Sequence, residues 1–487
     1  MQHTFAGKSV RFEKIKKSGF MVFPVAAALA MAPMARANPV VSSAAQPLTA
    51  STAEPLAGHP HTRDLSHLPP LKPVADALKH LNRQGVHVRA QVVEEPAMNV
   101  RGGVSHGKTI AGQFQFGVDL DLKKLLDIDG AKFHVTVFRD TGYSLSAEHV
   151  GVNYSTQEIY KNPYERIHFG VFAYEQNFFH DRFNWVFGRL GTTSYFARLP
   201  ELCNFLNGAV CGIPTVLKSE SGLVLPPSST WGTRLLFHST PHLDFSLGAN
   251  EINPTASPSN GLHWGLENKT GHSVEFETGY HHDLHETPYP YQIKVGVVHS
   301  QAPHANPYFN TAGESLALYG GKPRQKRNRG SVYMVADKTI WRSASRPSNI
   351  SIFGTYTRET DKEEIYGSQN AAGMIWTGPF PHRPIDKLSF EVFDLTLTPL
   401  ERAFLHDSRV KAGGSGWNAS HEYELDASYN YAILPGLRVM PDVQYIVHPD
   451  NSKLPHTRKV PNNALVVGVQ LVINIGSLLG APSALVQ

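Results

Sequence analysis

Apolar and polar residues alternate with a period of two along most of the chain. Residues 113–122 (Gln-Phe-Gln-Phe-Gly-Val-Asp-Leu-Asp-Leu) alternate without interruption, and residues 423–431 do the same. In residues 465–475 one parity is wholly aliphatic, whereas the other contains Gly468, Gln470 and Asn474. Successive side chains of a strand point to opposite faces of its sheet, so this pattern predicts strands with one apolar and one polar face.

The alternation extends over enough segments to predict a transmembrane antiparallel β-barrel. The strands number about 16, with 18 as the alternative, because single-chain bacterial barrels have even numbers. Connections such as 180–182 and 435–436 are predicted to be short periplasmic turns. Long extracellular loops are predicted near 199–229, 252–271, 301–330 and 398–419. Further strands are predicted to start near Val86, Lys132, Arg166, Phe183, Trp231, Asp244, Ser273, Tyr291, Ser331, Asn349, Leu388 and Leu437.

Before the first strand, the pattern changes to helical spacing. Val74, Ala77, Leu78 and Leu81 recur at helical intervals and Gly85 follows as a stop signal, which predicts a short N-terminal helix. The composition agrees with many short strands rather than long helices, since 40 of the 487 residues are Gly and 34 are Pro. A chain that is 41% hydrophobic, with no long apolar run after the first segment, is not a helical membrane protein.

The N-terminus predicts export. A basic stretch precedes a mostly apolar segment from Gly19 to Met34, and the small-residue tripeptide Ala35-Arg36-Ala37 follows. This order is typical of a secretory signal peptide over residues 1–37, cleaved after Ala37. Residues 38–72 are rich in Pro, Ala, Ser and Thr and are predicted to form a disordered periplasmic arm. The barrel, with its short N-terminal helix, is assigned to residues 73–487.

The cysteines, the net charge and the histidines limit which crosslinks, partners and cofactors are expected. Cys203 and Cys211 are the only cysteines of an exported chain, which favours a disulfide within one loop over two free thiols. A net charge of +4 gives no argument for a nucleic-acid partner. His281, His282 and His285 match no trusted metal-ligand spacing, so neither a metal nor another cofactor is expected. The basic run in residues 322–329 indicates lipopolysaccharide contact, part of an external funnel or a solvated loop.

Several stretches resemble the OprB-type carbohydrate-selective porin family, in order from about residue 74 to 475. They are residues 117–126 (Gly-Val-Asp-Leu-Asp-Leu-Lys-Lys-Leu-Leu), 129–131 (Asp-Gly-Ala), 174–176 (Tyr-Glu-Gln), 187–190 (Phe-Gly-Arg-Leu), 195–197 (Tyr-Phe-Ala), 203–212 (Cys-Asn-Phe-Leu-Asn-Gly-Ala-Val-Cys-Gly), 231–234 (Trp-Gly-Thr-Arg) and 435–446. The resemblance implies a 16-stranded barrel in the bacterial outer membrane. It also implies passive diffusion of monosaccharides such as glucose, polyols and similar solutes, without catalysis.

A pore for neutral sugars needs polar groups for hydroxyls and an aromatic surface for C–H faces. Tyr333, Phe353 and Phe393 have interior parity and are predicted stacking surfaces. Arg189 belongs to a family-like stretch but shares parity with Trp185, so it faces the interior only if a bulge at Gly188 turns it inward. The candidates for the pore constriction or sugar binding are Arg89, Asp119, Arg189, Arg234, Tyr333, Asp337, Glu391, Arg438, Asp442 and Gln444.

Two other functions stay open at this point. An outer-membrane barrel enzyme such as a lipid hydrolase would need a nucleophile with a base and an orienting acid. A non-selective general porin would have the same barrel but no preference for carbohydrates. The predicted partners are carbohydrate solutes, outer-membrane lipid and lipopolysaccharide, and the barrel-assembly machinery. A homotrimer is neither predicted nor excluded, because lipid-facing and partner-facing stripes are both apolar.

Overall fold

The computed structural model describes residues 64–159, 167–256 and 260–481, all within a unit that spans residues 42–487. The predicted signal peptide and most of the predicted arm lie outside the described residues. The end of the arm is described: Leu65–His67 form a 3-10 turn capped by Asp64. Within the described ranges, every helix is too short or too polar to span a membrane.

Strands dominate the described residues. They are β1 (Val86–Gly103), β2 (Gly107–Asp121), β3 (Ala131–Gly142), β4 (Ile167–Phe178), β5 (Phe183–Leu190), β6 (Thr230–His238), β7 (Leu243–Ile252), β8 (Gly271–His282), β9 (Tyr291–Ser300), β10 (His304–Asn310), β11 (Pro323–Lys326), β12 (Arg329–Arg342), β13 (Asn349–Glu359), β14 (Tyr366–Thr377), β15 (Lys387–Leu397), β16 (His421–Leu434), β17 (Leu437–Val447) and β18 (Asn462–Asn474). The helices are α1 (Lys72–Gln84), α2 (Leu122–Leu126), α3 (Thr215–Glu220), α4 (Leu316–Tyr319), α5 (Pro399–Lys411) and α6 (Ile475–Leu478).

Sixteen strands close into one antiparallel barrel, in which β1 pairs with β18. The other two, β10 and β11, pair only with each other in a loop. The predicted 16-stranded barrel is therefore confirmed, and the alternative of 18 barrel strands is wrong. Closure satisfies the backbone of every strand, as a structure in lipid requires.

The period-two pattern accounts for the wall of the barrel. On β2, Gln113, Gln115 and Asp119 are buried, whereas Phe114 and Phe116 between them are exposed on the outer face. The predicted N-terminal helix is confirmed as α1, which ends at Gly85 in the left-handed conformation with φ of 93°.

One barrel strand, β14, has no predicted start. The predicted starts lie within two residues of the observed ones for the strands they address. Other strands alternate large apolar residues with polar ones. The middle of β14 instead contains three consecutive small residues, Ala371, Ala372 and Gly373. Pairing with β13 and β15 forms this strand although its own sequence signals it weakly.

The two ends of the barrel differ in their connections. At the short-turn end the chain reverses over 179–182, 239–242, 283–290 and 435–436, while the long-loop end contains 143–166, 191–229, 253–270, 301–328 and 398–420. Residues 191–229, the inward loop, fold into the interior. Their apolar side chains pack against inward residues of the strands from β12 to β18, so the apolar core lies inside the barrel.

Candidate functional site: the barrel interior

The inward loop is closed on itself by a covalent bond. Cys203 and Cys211 form the predicted disulfide, which is confirmed. The loop also contains α3, whose Val216 N–H donates to the side chain of Gln369 on β14 at 3.1 Å. Gln369 in turn donates to the carbonyl of Ala209 at 2.9 Å, so the crosslinked segment and α3 are both attached to the wall opposite β5 and β6.

Three predicted site residues anchor loops. Asn207 of the inward loop donates from Nδ2 to Glu391 at 2.5 Å and to Asp426 at 2.7 Å. The Leu206 N–H donates to Asp442 at 2.9 Å. Gln444 donates to Asp442 at 2.9 Å and to the carbonyl of Thr156, in the loop over 143–166, at 3.0 Å. Glu391, Asp442 and Gln444 therefore hold two long loops inside the barrel.

The predicted stacking surfaces are covered. Tyr333, Phe353 and Phe393 are buried and belong to the core beneath the inward loop. The Tyr333 hydroxyl donates to Glu277 at 2.9 Å, and Glu277 also accepts the Ala197 N–H at 2.7 Å. Their rings pack against protein, which argues against the predicted sugar-stacking role. Asp337, another predicted site residue, lies closer than Tyr333 to the C-terminal end of β12. It is paired with Gln292 and lies near Glu201 of the inward loop.

An open cavity of about 110 Å³ remains between the inward loop and the wall formed by β1 to β5. Arg89 and Asp119, both predicted site residues, line it from the wall. Phe138 of the wall and Tyr195 of the inward loop supply aromatic surface. The cavity therefore combines charged side chains with a larger apolar surface, including rings at two sides.

A polar belt crosses the first six strands, one side chain from each: Arg89, Asp119, His134, Glu175, Asn184 and Arg234. Asp119 accepts two hydrogen bonds from Arg89, at 2.5 and 3.0 Å, in the fork geometry typical of Arg and carboxylate. Asp119 also lies 2.8 Å from Nδ1 of His134, whose Nε2 is 3.1 Å from Glu175. His134 and Glu175 were not among the predicted site residues, although both have the inward parity of their strands.

The belt continues to a second predicted arginine, Arg234. Asn184 donates to Glu175 at 2.8 Å and accepts from Arg234 at 2.6 Å. The Arg234 guanidinium also lies over the ring of Tyr195, 5.7 Å from its centroid. Arg89, Asp119 and Arg234 are thus members of one network, of which Arg89 and Asp119 line the cavity.

The inward loop adds charges that face the wall. Lys218 lines the cavity and donates to the carbonyl of Gly208 at 2.5 Å. Burial lowers the pKa of Lys218 to about 8 and that of Arg198 to about 10, while Glu158 opposes both shifts. Burial also raises the pKa of Glu158, against the nearby Arg438. Lys218, Arg198 and Glu158 could not be assigned to the interior from the sequence, because loop residues have no parity.

Two predicted arginines lie outside the belt. Arg438 donates to Gln470 at 3.1 Å, and Gln470 donates to Glu158 at 2.7 Å, so Arg438 is connected to the loop charges. Arg189 is different. Pairing of β5 with both neighbours is continuous through Gly188, so the bulge that would turn Arg189 inward is absent.

Arg189 instead shares the side of the sheet on which Trp185 lies. It donates to the carbonyl of Ser229, is 3.7 Å from Glu251 and lies over the ring of Trp231 at 5.9 Å. The prediction that places it in the constriction is corrected by this register.

The basic run of residues 322–329 meets an acidic turn. Arg324 pairs with Glu363 at 3.2 Å, and Lys326 pairs with Asp361 at 2.8 Å. Arg329 pairs with Glu364 at 3.1 Å. Most of the basic run is therefore neutralised within the protein.

Comparison with known proteins places these features in a family. The model of the carbohydrate-selective porin, OprB family, matches residues 105–475. Porin B of Pseudomonas aeruginosa is 24% identical over 80% of this chain and 88% of its own. A putative porin, QuiX, of Acinetobacter baylyi is 24% identical over 81% of this chain and 90% of its own.

A solved structure supports the fold. The high-pH structure of Pseudomonas putida OprB is 23% identical, with a TM-score of 0.72, and the match covers 81% of this chain and 96% of that one. The match of the family model over most of the strands, together with the closed barrel, decides the identity. The chain belongs to the carbohydrate-selective porin, OprB family, and is an outer-membrane channel for carbohydrates rather than an enzyme.

Proposed function

We propose that monosaccharides such as glucose, polyols and similar small solutes cross this barrel through the cavity between the polar belt and the inward loop. The observation that supports this path is the division of the interior. The inward loop fills the side of β12 to β18 with apolar packing, whereas the side of β1 to β5 keeps an open cavity lined by both charged and apolar side chains.

The side chains along this path suit a neutral polyol. Hydroxyl groups donate to carboxylates and accept from cations, and the cavity offers Asp119 and Glu175 beside Arg89 and Lys218. Because Arg89 and Asp119 already pair with each other, neither presents an unbalanced charge that would trap an ion. Tyr195 and Phe138 are positioned for the C–H faces of a sugar ring, the role first expected of Tyr333.

Liposome swelling with the purified mature protein tests the path. Glucose, a disaccharide and arginine are compared at equal osmolarity. We expect rapid entry of glucose and slower entry of the others. The variants Arg89→Ala and Arg438→Ala should change glucose entry while the barrel still folds, since each removes a cation from the interior. Arg101→Ala is the matched control, because Arg101 is an exposed arginine on the same strand as Arg89.

The outcomes distinguish a sugar-preferring pore from a general one and test the roles of Arg89 and Arg438. Equal entry of all three solutes would indicate a non-selective general porin. Normal glucose entry in Arg89→Ala would remove the polar belt from the path, and normal entry in Arg438→Ala would remove Arg438 from the constriction.

The finer predictions on partners and processing stay predictions. We infer insertion by the barrel-assembly machinery and an outer face in lipid, supported by the exposed apolar side chains of alternate residues. Lipopolysaccharide contact would rest on Lys322 and Arg327, since the other cations of that run are ion-paired. Chemical crosslinking in outer membranes distinguishes a monomer from a homotrimer. N-terminal sequencing of the mature protein tests cleavage after Ala37.

A further inference from the structure

Two histidines and a carboxylate meet at the short-turn end, outside the interior site. His242 ends the turn between β6 and β7, His282 ends β8, and Glu286 lies in the turn between β8 and β9. Their ligand atoms all lie within 4.8 Å of one another. His282 and Glu286 are near in sequence, but His242 arrives from a separate turn.

The distances within this cluster are those of a metal site. Nδ1 of His242 lies 3.5 Å from Oε2 of Glu286, and Nδ1 of His282 lies 3.2 Å from the same oxygen. With bonds of about 2.0–2.1 Å, tetrahedral zinc separates neighbouring ligand atoms by about 3.3 Å. The two imidazole rings are stacked, with centroids 4.0 Å apart, so one ring must rotate before the in-plane lone pairs of both nitrogens point at a shared ion.

The surroundings of the nitrogens fit the same interpretation. Nδ1 of His242 is buried and has no hydrogen-bond partner. Nε2 of His282 lies 3.1 Å from the Tyr280 hydroxyl. If that nitrogen holds the proton and donates it to Tyr280, Nδ1 keeps its lone pair, and metal-binding histidines are commonly oriented in this way. The Glu286 oxygen also accepts the Asp283 N–H at 3.3 Å, which helps to fix the turn.

The other metal-like groups in the described part of the chain are less suited to a metal ion. Cys203 and Cys211, near Glu158, are joined in the disulfide and offer no thiolate. In the group of His304, Asp361 and Glu364, the carboxylates pair with Lys326 and Arg329, whose positive charges oppose a cation.

We propose that His242, His282 and Glu286 bind a divalent transition-metal ion such as Zn²⁺, which ties the β6–β7 turn to the β8–β9 turn. Imidazole and carboxylate together suit zinc and its neighbours rather than magnesium or calcium. Three protein ligands leave the fourth position to water. The site is separate from the sugar path, so it neither supports nor requires the proposed function.

The test uses the mature protein in detergent, purified without a polyhistidine tag and stripped with a chelator. Calorimetric titration with Zn²⁺ should give one site per chain, and Mg²⁺ should give none. His242→Ala and His282→Ala should each weaken zinc binding at least about tenfold. His285→Ala is the matched control, since this histidine lies in the same turn but outside the cluster, and His281→Ala is a second control on β8. Heat-dependent gel mobility verifies that each variant forms the barrel.

A second readout reports the coordination number of the bound ion rather than the binding constant. Co²⁺ in place of zinc should give the intense visible absorption of a four-coordinate ion in the wild type and in His285→Ala, but not in His242→Ala. Absence of zinc binding by the wild type would overturn the proposal. Zinc binding that survives the double substitution of His242 and His282, or that is lost in His281→Ala, would overturn the assignment of the ligands.

Discussion

The docking of the inward loop depends on Asn207, and its replacement by Ala should loosen the loop. Asn207 donates to Glu391 and Asp426, which lie on neighbouring strands. A hydrogen bond to a buried carboxyl group contributes roughly 1.5 kcal/mol, the value at which the ranges for neutral and charged partners meet. For the two bonds together, the free energy that separates the docked from the open loop falls by about 3 kcal/mol. Since 1.4 kcal/mol is a factor of ten, the open fraction should rise about 100-fold.

Hydrogen exchange measures this opening directly. The Leu206 amide is bonded to Asp442 only while the loop is docked, so its exchange rate should rise by the same factor in Asn207→Ala. Mass spectrometry of peptides from residues 199–221 follows that amide and its neighbours. Asn250→Ala is the matched control, because Asn250 donates to Glu275 at 2.7 Å within the wall.

Unchanged exchange in the loop of Asn207→Ala would contradict this prediction. The disulfide and the apolar packing would then hold the loop alone. Equal acceleration in Asn250→Ala would show that the loop responds to any weakening of the barrel rather than to its own anchor.

Three further predictions concern the disulfide, the charge of Lys218 and the space around Gly188. Replacing Cys203 and Cys211 by Ser removes a crosslink over a separation of eight residues, which costs about 2.5 kcal/mol in the chain-entropy model and should accelerate loop exchange roughly 50-fold. Because burial lowers the pKa of Lys218 to about 8 from its usual 10.5, the undocked loop binds more protons between these values and docking strengthens as pH rises. Loss of that charge should also shift reversal potentials toward cation selectivity across pH 8, and Lys218→Met should abolish the shift; a persistent shift would implicate another group. Gly188→Ala should prevent barrel formation on heat-modified gels, since its Cβ would lie 2.2 Å from the Phe172 carbonyl oxygen; Gly279→Ala, with 3.4 Å to its nearest neighbour, should fold normally.

The wall of the barrel was predictable because its rule is local. A strand between lipid and a polar interior must alternate, so residues such as Phe114 and Gln115 reveal their faces without knowledge of their partners. The disulfide was predictable for a similar reason, since both cysteines lie in one short segment. The same rule failed at β14, where small residues weaken the contrast.

The interior site depended on contacts that no local pattern contains. Parity places Glu391 and Asp442 inside but does not show that loop amides already occupy them. It also cannot assign Lys218, because a loop has no alternation.

Period-two patterning and ordered motifs were therefore enough to establish the class of fold, most of the strands and the family resemblance. The tertiary structure decided which inward residues remain open to a solute, because that depends on where the inward loop packs. It also decided the histidine cluster, in which His242 joins His282 and Glu286 only through the pairing of β6, β7 and β8.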